Sequence, residues 1–191
     1  MKHIGFSTLL ICLLLSGCST STEVSVTTSN PSPSAHPQQT LYTPDFSGYT
    51  MIDDETTWIN GITPCGFMDA IEGNGCDGIY VIAQQNCHYC QYALPCLVEA
   101  SNTMECPVFY LDCGSTLYPI NDIIDPLYET LYPYLASDQD GVKQLMTPHV
   151  LAIKDGSIID SLVGLGDDFI ADQTSMDRLT QRYCEMMATV L

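Results

Sequence analysis

The sequence predicts an α/β fold in which helices flank a central mixed β-sheet. Three observations carry that prediction. The run Ile79-Tyr80-Val81-Ile82-Ala83 lacks polar alternation and suits a strand covered on both faces. A helix-compatible run after Cys90 separates it from a second strand, Pro107 to Asp112, so the two strands form a βαβ unit and should lie parallel. Val150 to Ile153 and Ser157 to Val163, joined by Asp155-Gly156, read as an antiparallel hairpin.

The chain begins with Met1 to Gly17, where Lys2 and His3 precede the apolar stretch Ile11 to Leu15 and the small pair Ser16-Gly17. This reads as a signal peptide, too short for a membrane span. Leu15-Ser16-Gly17-Cys18 resembles the bacterial lipobox, which implies acylation of Cys18 and a protein tethered by lipid to the extracytoplasmic face of a bacterial membrane. Residues 18–44 are rich in Ser, Thr and Pro and poor in apolar surface, the composition of a disordered tether. Residues 45–62 are an N-terminal extension to a domain over 63–191.

Within that domain, Thr63 and Pro64 supply the cap and first position of a short helix, which Gly73-Asn74-Gly75 stops. Pro95 predicts a kink in the helix after Cys90. About 114–146 the simple alternation gives way to a helical insertion, with one helix through Ile124, Leu127, Tyr128, Leu131 and Leu135 and a second over Gly141 to Met146. Tyr118, Tyr128, Tyr132 and Tyr134 form a stripe that suits a core edge with its hydroxyls at the rim, or a binding surface. Thr174 is the expected cap of a final helix whose apolar positions are Met176, Leu179, Tyr183, Met186, Met187 and Val190.

A length of 191 residues suits one domain with appendages. Five Lys and Arg stand against 23 Asp and Glu, a formal charge of −18, which excludes nucleic acid as a partner and fits a solvated surface on an exported protein. Once Cys12 leaves with the signal and Cys18 takes lipid, Cys65, Cys76, Cys87, Cys90, Cys96, Cys106, Cys113 and Cys184 remain. An even set in an exported chain favours disulfides over metal. A zinc site through Cys87, His88 and Cys90 would need a second closely spaced pair, and the remaining cysteines form no other C-x-x-C, so no metal is expected.

The chemistry concentrates in Asn86-Cys87-His88-Tyr89-Cys90, where a strand hands over to a helix. Unpaired N–H groups and the positive end of the helix dipole favour a thiolate at the first cysteine. His88 can stabilise that thiolate, and a stabilised reduced form makes a stronger oxidant. His149 reads as a strand histidine.

With these pieces placed, the chain from about Thr63 to its end resembles the thioredoxin-like superfamily. The resemblance rests on Cys87-His88-Tyr89-Cys90 at the strand-to-helix junction, Pro95 five residues on, Thr147-Pro148 before the hairpin strand, Lys154-Asp155-Gly156 at its turn and Val163-Gly164 at its end. It implies thiol–disulfide exchange without a cofactor, with Cys87 as nucleophile and Cys90 as the resolving thiol. It also implies a cis Pro148 and a substrate-binding groove at Tyr89, Thr147, Pro148 and Gly164. Implied partners are exported proteins carrying thiols or disulfides, and a membrane redox partner if the protein works as a reductase. His88 leans the expectation toward oxidase or isomerase, and Tyr89 and Thr147 resemble the choices of bacterial disulfide isomerases. Three features depart from the pattern: the long insertion, Asn86 in place of tryptophan, and Val81 where thioredoxins keep a buried acid. The alternative is a stapled binding or accessory module without redox turnover, in which Cys65, Cys76, Cys96, Cys106, Cys113 and Cys184 are structural disulfide candidates with fifteen possible pairings.

Overall fold

The computed structural model describes residues 41–52, 58–166 and 168–191. The expected signal segment, Cys18 and most of the tether lie outside them. Six strands form one sheet: β1 (Leu41–Tyr42), β2 (Ile59–Ile62), β3 (Gly78–Ala83), β4 (Val108–Asp112), β7 (His149–Lys154) and β8 (Ser157–Val163), in the order β1-β2-β4-β3-β7-β8. Strands β2, β4 and β3 are mutually parallel, whereas β7 runs antiparallel to β3 and β8 antiparallel to β7. Parallel β4 and β2 on one side of β3 and a returning hairpin on the other make this the thioredoxin-like fold, with β1 added antiparallel to β2 at the edge. Strand β3 is buried at every residue, as a central strand with both faces covered must be.

Helices divide between the faces. α2 (Cys90–Met104) and α4 (Gln173–Val190) cover one, burying Val81, Leu94, Leu97, Tyr110, Val150 and Met186 together. α1 (Pro64–Asp69) and α3 (Ile124–Leu131) cover the other, over Phe67, Ile82, Leu111, Leu127, Leu131 and Leu151. Adjacent strand residues therefore serve different cores, because side chains alternate across a sheet.

Local chemistry sets the ends of these elements. Thr63 caps α1 by accepting the Gly66 N–H at 3.3 Å, with Pro64 in the first turn. The β7–β8 hairpin turns on Asp155 and Gly156, both with positive φ (49° and 70°), and Asp77 accepts the Asp155 N–H at 2.9 Å. A Cβ at Gly156 would meet the Gly73 carbonyl oxygen at 2.8 Å, so the hairpin tip needs glycine on two counts.

Three elements differ from the sequence reading. Strand β2 lies within the extension, where no strand is predicted, and it pairs along β4 from Ile59↔Val108 to Gly61↔Tyr110. The helix expected over Gly141 to Met146 is instead β6 (Lys143–Gln144), in a small hairpin with β5 (Ala136–Ser137). Asp138 decides this: its carboxylate accepts the N–H groups of Asp140 and Val142 and the Gln144 amide, drawing the backbone out of a helical path. The cap of α4 is Asp172, which accepts the Ser175 N–H at 2.8 Å, and Thr174 falls inside the first turn.

Tyr118 and Tyr134 of the tyrosine stripe tie the insertion to its surroundings, and Tyr128 braces it internally. Tyr128 and Tyr134 donate to the carbonyls of Lys143 and Ile158, and Tyr118 stacks on Tyr42 at 4.7 Å. Among the described residues no helix is long and apolar enough to cross a membrane.

Candidate active site

Strand β3 ends at Ala83, and a turn closed by the Cys87 N–H on the Gln84 carbonyl (3.2 Å) leads into α2, which starts at Cys90. No side-chain oxygen caps this helix. The Cys87 sulfur takes that place, accepting the Cys90 N–H at 3.2 Å, while the Cys87 thiol points to the Thr147 carbonyl at 3.4 Å. A sulfur held at a helix N-terminus is where a thiolate gains most from the dipole.

The two thiols differ in environment. Cys87 is half-buried at the surface, whereas Cys90 is 0% exposed. Burial, reinforced by the hydrogen bond with Cys87, pushes the Cys90 thiol up to about 12. One sulfur is thus reachable from solvent and the other is a protonated thiol behind it.

The loop facing the pair contains the cis Thr147–Pro148 peptide. The Thr147 carbonyl meets the Cys87 thiol, and the Pro148 carbonyl accepts the Gly164 N–H at 2.8 Å, tying the loop to the end of β8. A groove of about 470 Å³ runs along this edge, lined by Tyr89, Met146, Thr147, Gly164 and Phe169, with Ala136 and Ser137 of the insertion hairpin as one wall. Tyr89, Thr147 and Gly164 therefore meet at one groove, and Pro148 is buried behind it. Nothing stands within 4 Å of where a Cβ on Gly164 would project, and its φ of 72° is what calls for glycine there.

His88 is exposed and its ring lies against Tyr89 (5.8 Å) and Tyr92 (5.4 Å), outside the groove lining. His149 points into the opposite core: it is fully buried, and burial pushes it down to about 4. The six disulfide candidates carry free thiols in this structure. Cys65 and Cys76 are exposed near α1; Cys96 is buried on α2 and Cys106 is buried just past its end; Cys113 follows β4; Cys184 lies on α4. Among the described residues, no group of three His, Cys, Asp or Glu side chains is placed to hold a metal.

Sequence reasoning missed the clamp on the turn. Gln91 donates to the carbonyls of Gln85 (2.6 Å) and Gly48 (3.0 Å), and Gln85 donates to that of Asp45 (2.8 Å). Segment 45–49 of the extension is thereby fastened to the cysteine turn. Only the glutamines' closeness to the motif could have hinted at this.

Fold and site together define a thioredoxin-like α/β domain with a half-buried and a fully buried cysteine at a helix N-terminus. Structures similar to it include a thioredoxin from Aeropyrum pernix, at 26% identity over 54% of this chain and 73% of that one (TM-score 0.36). Thioredoxin O1 from Arabidopsis thaliana in its oxidized state matches at 17% identity over 66% and 97% (TM-score 0.41), and a Plasmodium falciparum thioredoxin at 19% over 61% and 89% (TM-score 0.34). No protein-family model and no curated protein matches the sequence.

Proposed function

We propose that this chain is an extracytoplasmic thiol–disulfide oxidoreductase that exchanges disulfides with exported proteins through Cys87 and Cys90. The observation that carries this reading is the asymmetry of the pair: Cys87 sits at the surface with its sulfur on the Cys90 N–H, and Cys90 is buried and protonated behind it. The Cys87 thiolate attacks a substrate disulfide, a mixed disulfide forms and one substrate sulfur leaves. Cys90 then attacks Cys87; the Cys87–Cys90 bond forms as the remaining substrate sulfur departs and takes up a proton. The substrate is reduced by two electrons and the protein oxidised by two, and the reverse sequence oxidises a dithiol. Tyr89, Thr147 and Gly164 seat the substrate strand, and His88 tunes the Cys87 thiolate.

A Cys90→Ala variant should accumulate mixed disulfides through Cys87, visible as adducts that dithiothreitol releases and that Cys87→Ser abolishes. If Cys87 neither traps a partner nor alkylates after mild reduction, the protein is a binding module instead. The oxidase or isomerase direction predicts a reduction potential toward that of disulfide isomerase, about −180 mV; a value near about −270 mV assigns it as a reductase served by a membrane partner. Lipid anchoring at Cys18 predicts palmitate labelling that Cys18→Ala removes.

A further inference from the structure

An enzyme that resolves a mixed disulfide with a buried thiol must stabilise the charge that appears as that thiol ionises. In this chain Val81 occupies the position expected for the acid, and its side chain is wholly buried and apolar. The neighbouring strand supplies something else. Tyr110 pairs with Val81 in register and points into the same core as Cys90. Its hydroxyl meets that of Tyr49 at 3.2 Å, and the two residues are 1% and 3% exposed. A buried hydroxyl pair brought together across 61 residues is a specific arrangement, because an unpaired hydroxyl in either place would be costly.

Tyr49 comes from the extension. The turn that delivers it is closed by its N–H on the Phe46 carbonyl (2.8 Å) and by Asp45 accepting the Ser47 N–H (2.9 Å), and Gln85 and Gln91 pin it to the cysteine turn. Phe46 covers both phenols, with ring centroids 5.8 Å from Tyr49 and 5.3 Å from Tyr110. The extension thus carries a polar group into the core that Cys90 shares and packs an apolar ring against it.

Resting on the oxidoreductase reading, we propose that the Tyr49–Tyr110 hydroxyl pair is the positioning element that stabilises the Cys90 thiolate during resolution, in place of the acid absent at Val81. Preorganised hydroxyl dipoles in a dry core are effective at this, since they need no reorganisation as charge develops. Burial pushes both phenols well above their ordinary range, so they act as neutral donors and not as bases. Tyr49 feels charge on Cys90, then Asp112 and Cys87; Tyr110 feels Tyr49, Asp112 and Cys113. The other groups facing Cys90 are Cys87, the Gln84 backbone and the Thr147 side chain, both of which also favour the charged sulfur, and Tyr183 from α4. In the step itself Cys90 loses its proton and bonds to Cys87, the bond from Cys87 to the substrate sulfur breaks, and that sulfur leaves and is protonated. The substrate disulfide is the only oxidant required.

The test follows both steps on the reduced full chain with one equivalent of dithionitrobenzoate. Mixed-disulfide formation at Cys87 and its conversion to the Cys87–Cys90 disulfide are monitored against pH by absorbance, with peptides assigned by mass spectrometry. Tyr49→Phe should slow conversion about tenfold at neutral pH and raise its pH midpoint by about one unit, leaving the first step's profile in place. Tyr110→Phe should act in the same direction, and the double variant should be no slower than Tyr49→Phe, as expected of a pair acting as a unit. Val81→Asp in the Tyr49→Phe background should restore the rate. Phe46→Leu, which thins the packing but keeps both hydroxyls, should lower stability without moving the midpoint. An unchanged midpoint in both Phe variants, or an equal shift in Phe46→Leu, overturns the inference while the oxidoreductase reading stands. If Cys87 forms no mixed disulfide in the unaltered chain, both fall together.

Discussion

The two faces of the central sheet are made by the same strands and bury different things. Under α2 and α4 the core contains Tyr49, Cys90, Cys96, Cys106, Tyr110 and Tyr183 among its aliphatic residues. Under α1 and α3 it is almost wholly hydrocarbon, from Ile62 and Phe67 to Leu127, Leu131 and Ile153. Its polar exceptions are Tyr80, whose hydroxyl donates to the Cys76 carbonyl, and His149, which strand alternation places beside Leu151 on that face. The difference separates two tasks. One face supplies burial, and the other gives up part of it for thiols and phenols in the core that also holds Cys90. Neighbours such as Tyr80 and Val81, or Phe109 and Tyr110, belong to opposite sides of that division.

The hardest strain on this comparison is a cavity in the hydrocarbon face. Leu127 is fully buried, and Leu127→Ala should cost about 2–5 kcal/mol in urea unfolding through lost transfer energy and the void left behind. Cys87 alkylation per folded molecule should stay the same. A changed Cys87 rate at full folding would break the division, because it would couple the two cores.

One buried group from each face should act at opposite ends of the pH scale. His149 is neutral when folded, with its pKa pushed from 6.5 down to about 4 by burial, so the unfolded chain binds more protons between those values. Its stabilising contribution is complete above about 6.5 and is lost as pH falls toward 4, roughly 3 kcal/mol in all. His149→Leu should flatten the stability profile in that window. On the other face Cys90 is raised from 9.0 to about 12, so its contribution is present below 9 and fades as pH rises through that window. Cys90→Ala should make the alkaline limb shallower, with the thiols of Cys106 and Cys113, also raised by burial, supplying the rest, and leave the acid limb as it was. A profile in which His149→Leu leaves the acid slope intact refutes the assignment.

What could be read in the sequence follows the range of the interactions. β3, β4 and the β7–β8 hairpin were legible because each is an unbroken apolar run or a turn with its own residue chemistry, and α1 because Thr63-Pro64 is a local cap. The cysteine pair and Thr147-Pro148 were legible as short motifs. β2 was not: Ile59-Asn60-Gly61-Ile62 is four residues with a polar and a glycine position, and its burial comes from β4. The β5–β6 hairpin was hidden because strands of two residues each set no period, and one carboxylate, Asp138, decides the path. The Tyr49–Tyr110 pair and the Gln85 clamp were out of reach because they join residues 61 and 40 apart, through contacts that no local pattern encodes.

The smallest expected effect sharpens the picture of the site face most. The Tyr183 hydroxyl is buried on that face without a hydrogen-bond partner among the described residues, and charge on Cys96 and Cys90 adds to the burial that pushes it up. An unsatisfied buried hydroxyl carries a desolvation penalty that its removal relieves, so Tyr183→Phe should stabilise the reduced protein by about 1 kcal/mol in urea unfolding. The ring keeps its packing against Met187 and the rest of that core in either variant. Removing the hydroxyl should also leave the pH midpoint of Cys90 resolution unchanged, because Tyr49, not Tyr183, has its hydroxyl held in place by a second phenol. A loss of stability instead would mean that Tyr183 shares a bound water with Cys90, and the polar set beneath the sulfurs would then have three phenols, with α4 contributing to it as directly as β4 and the extension.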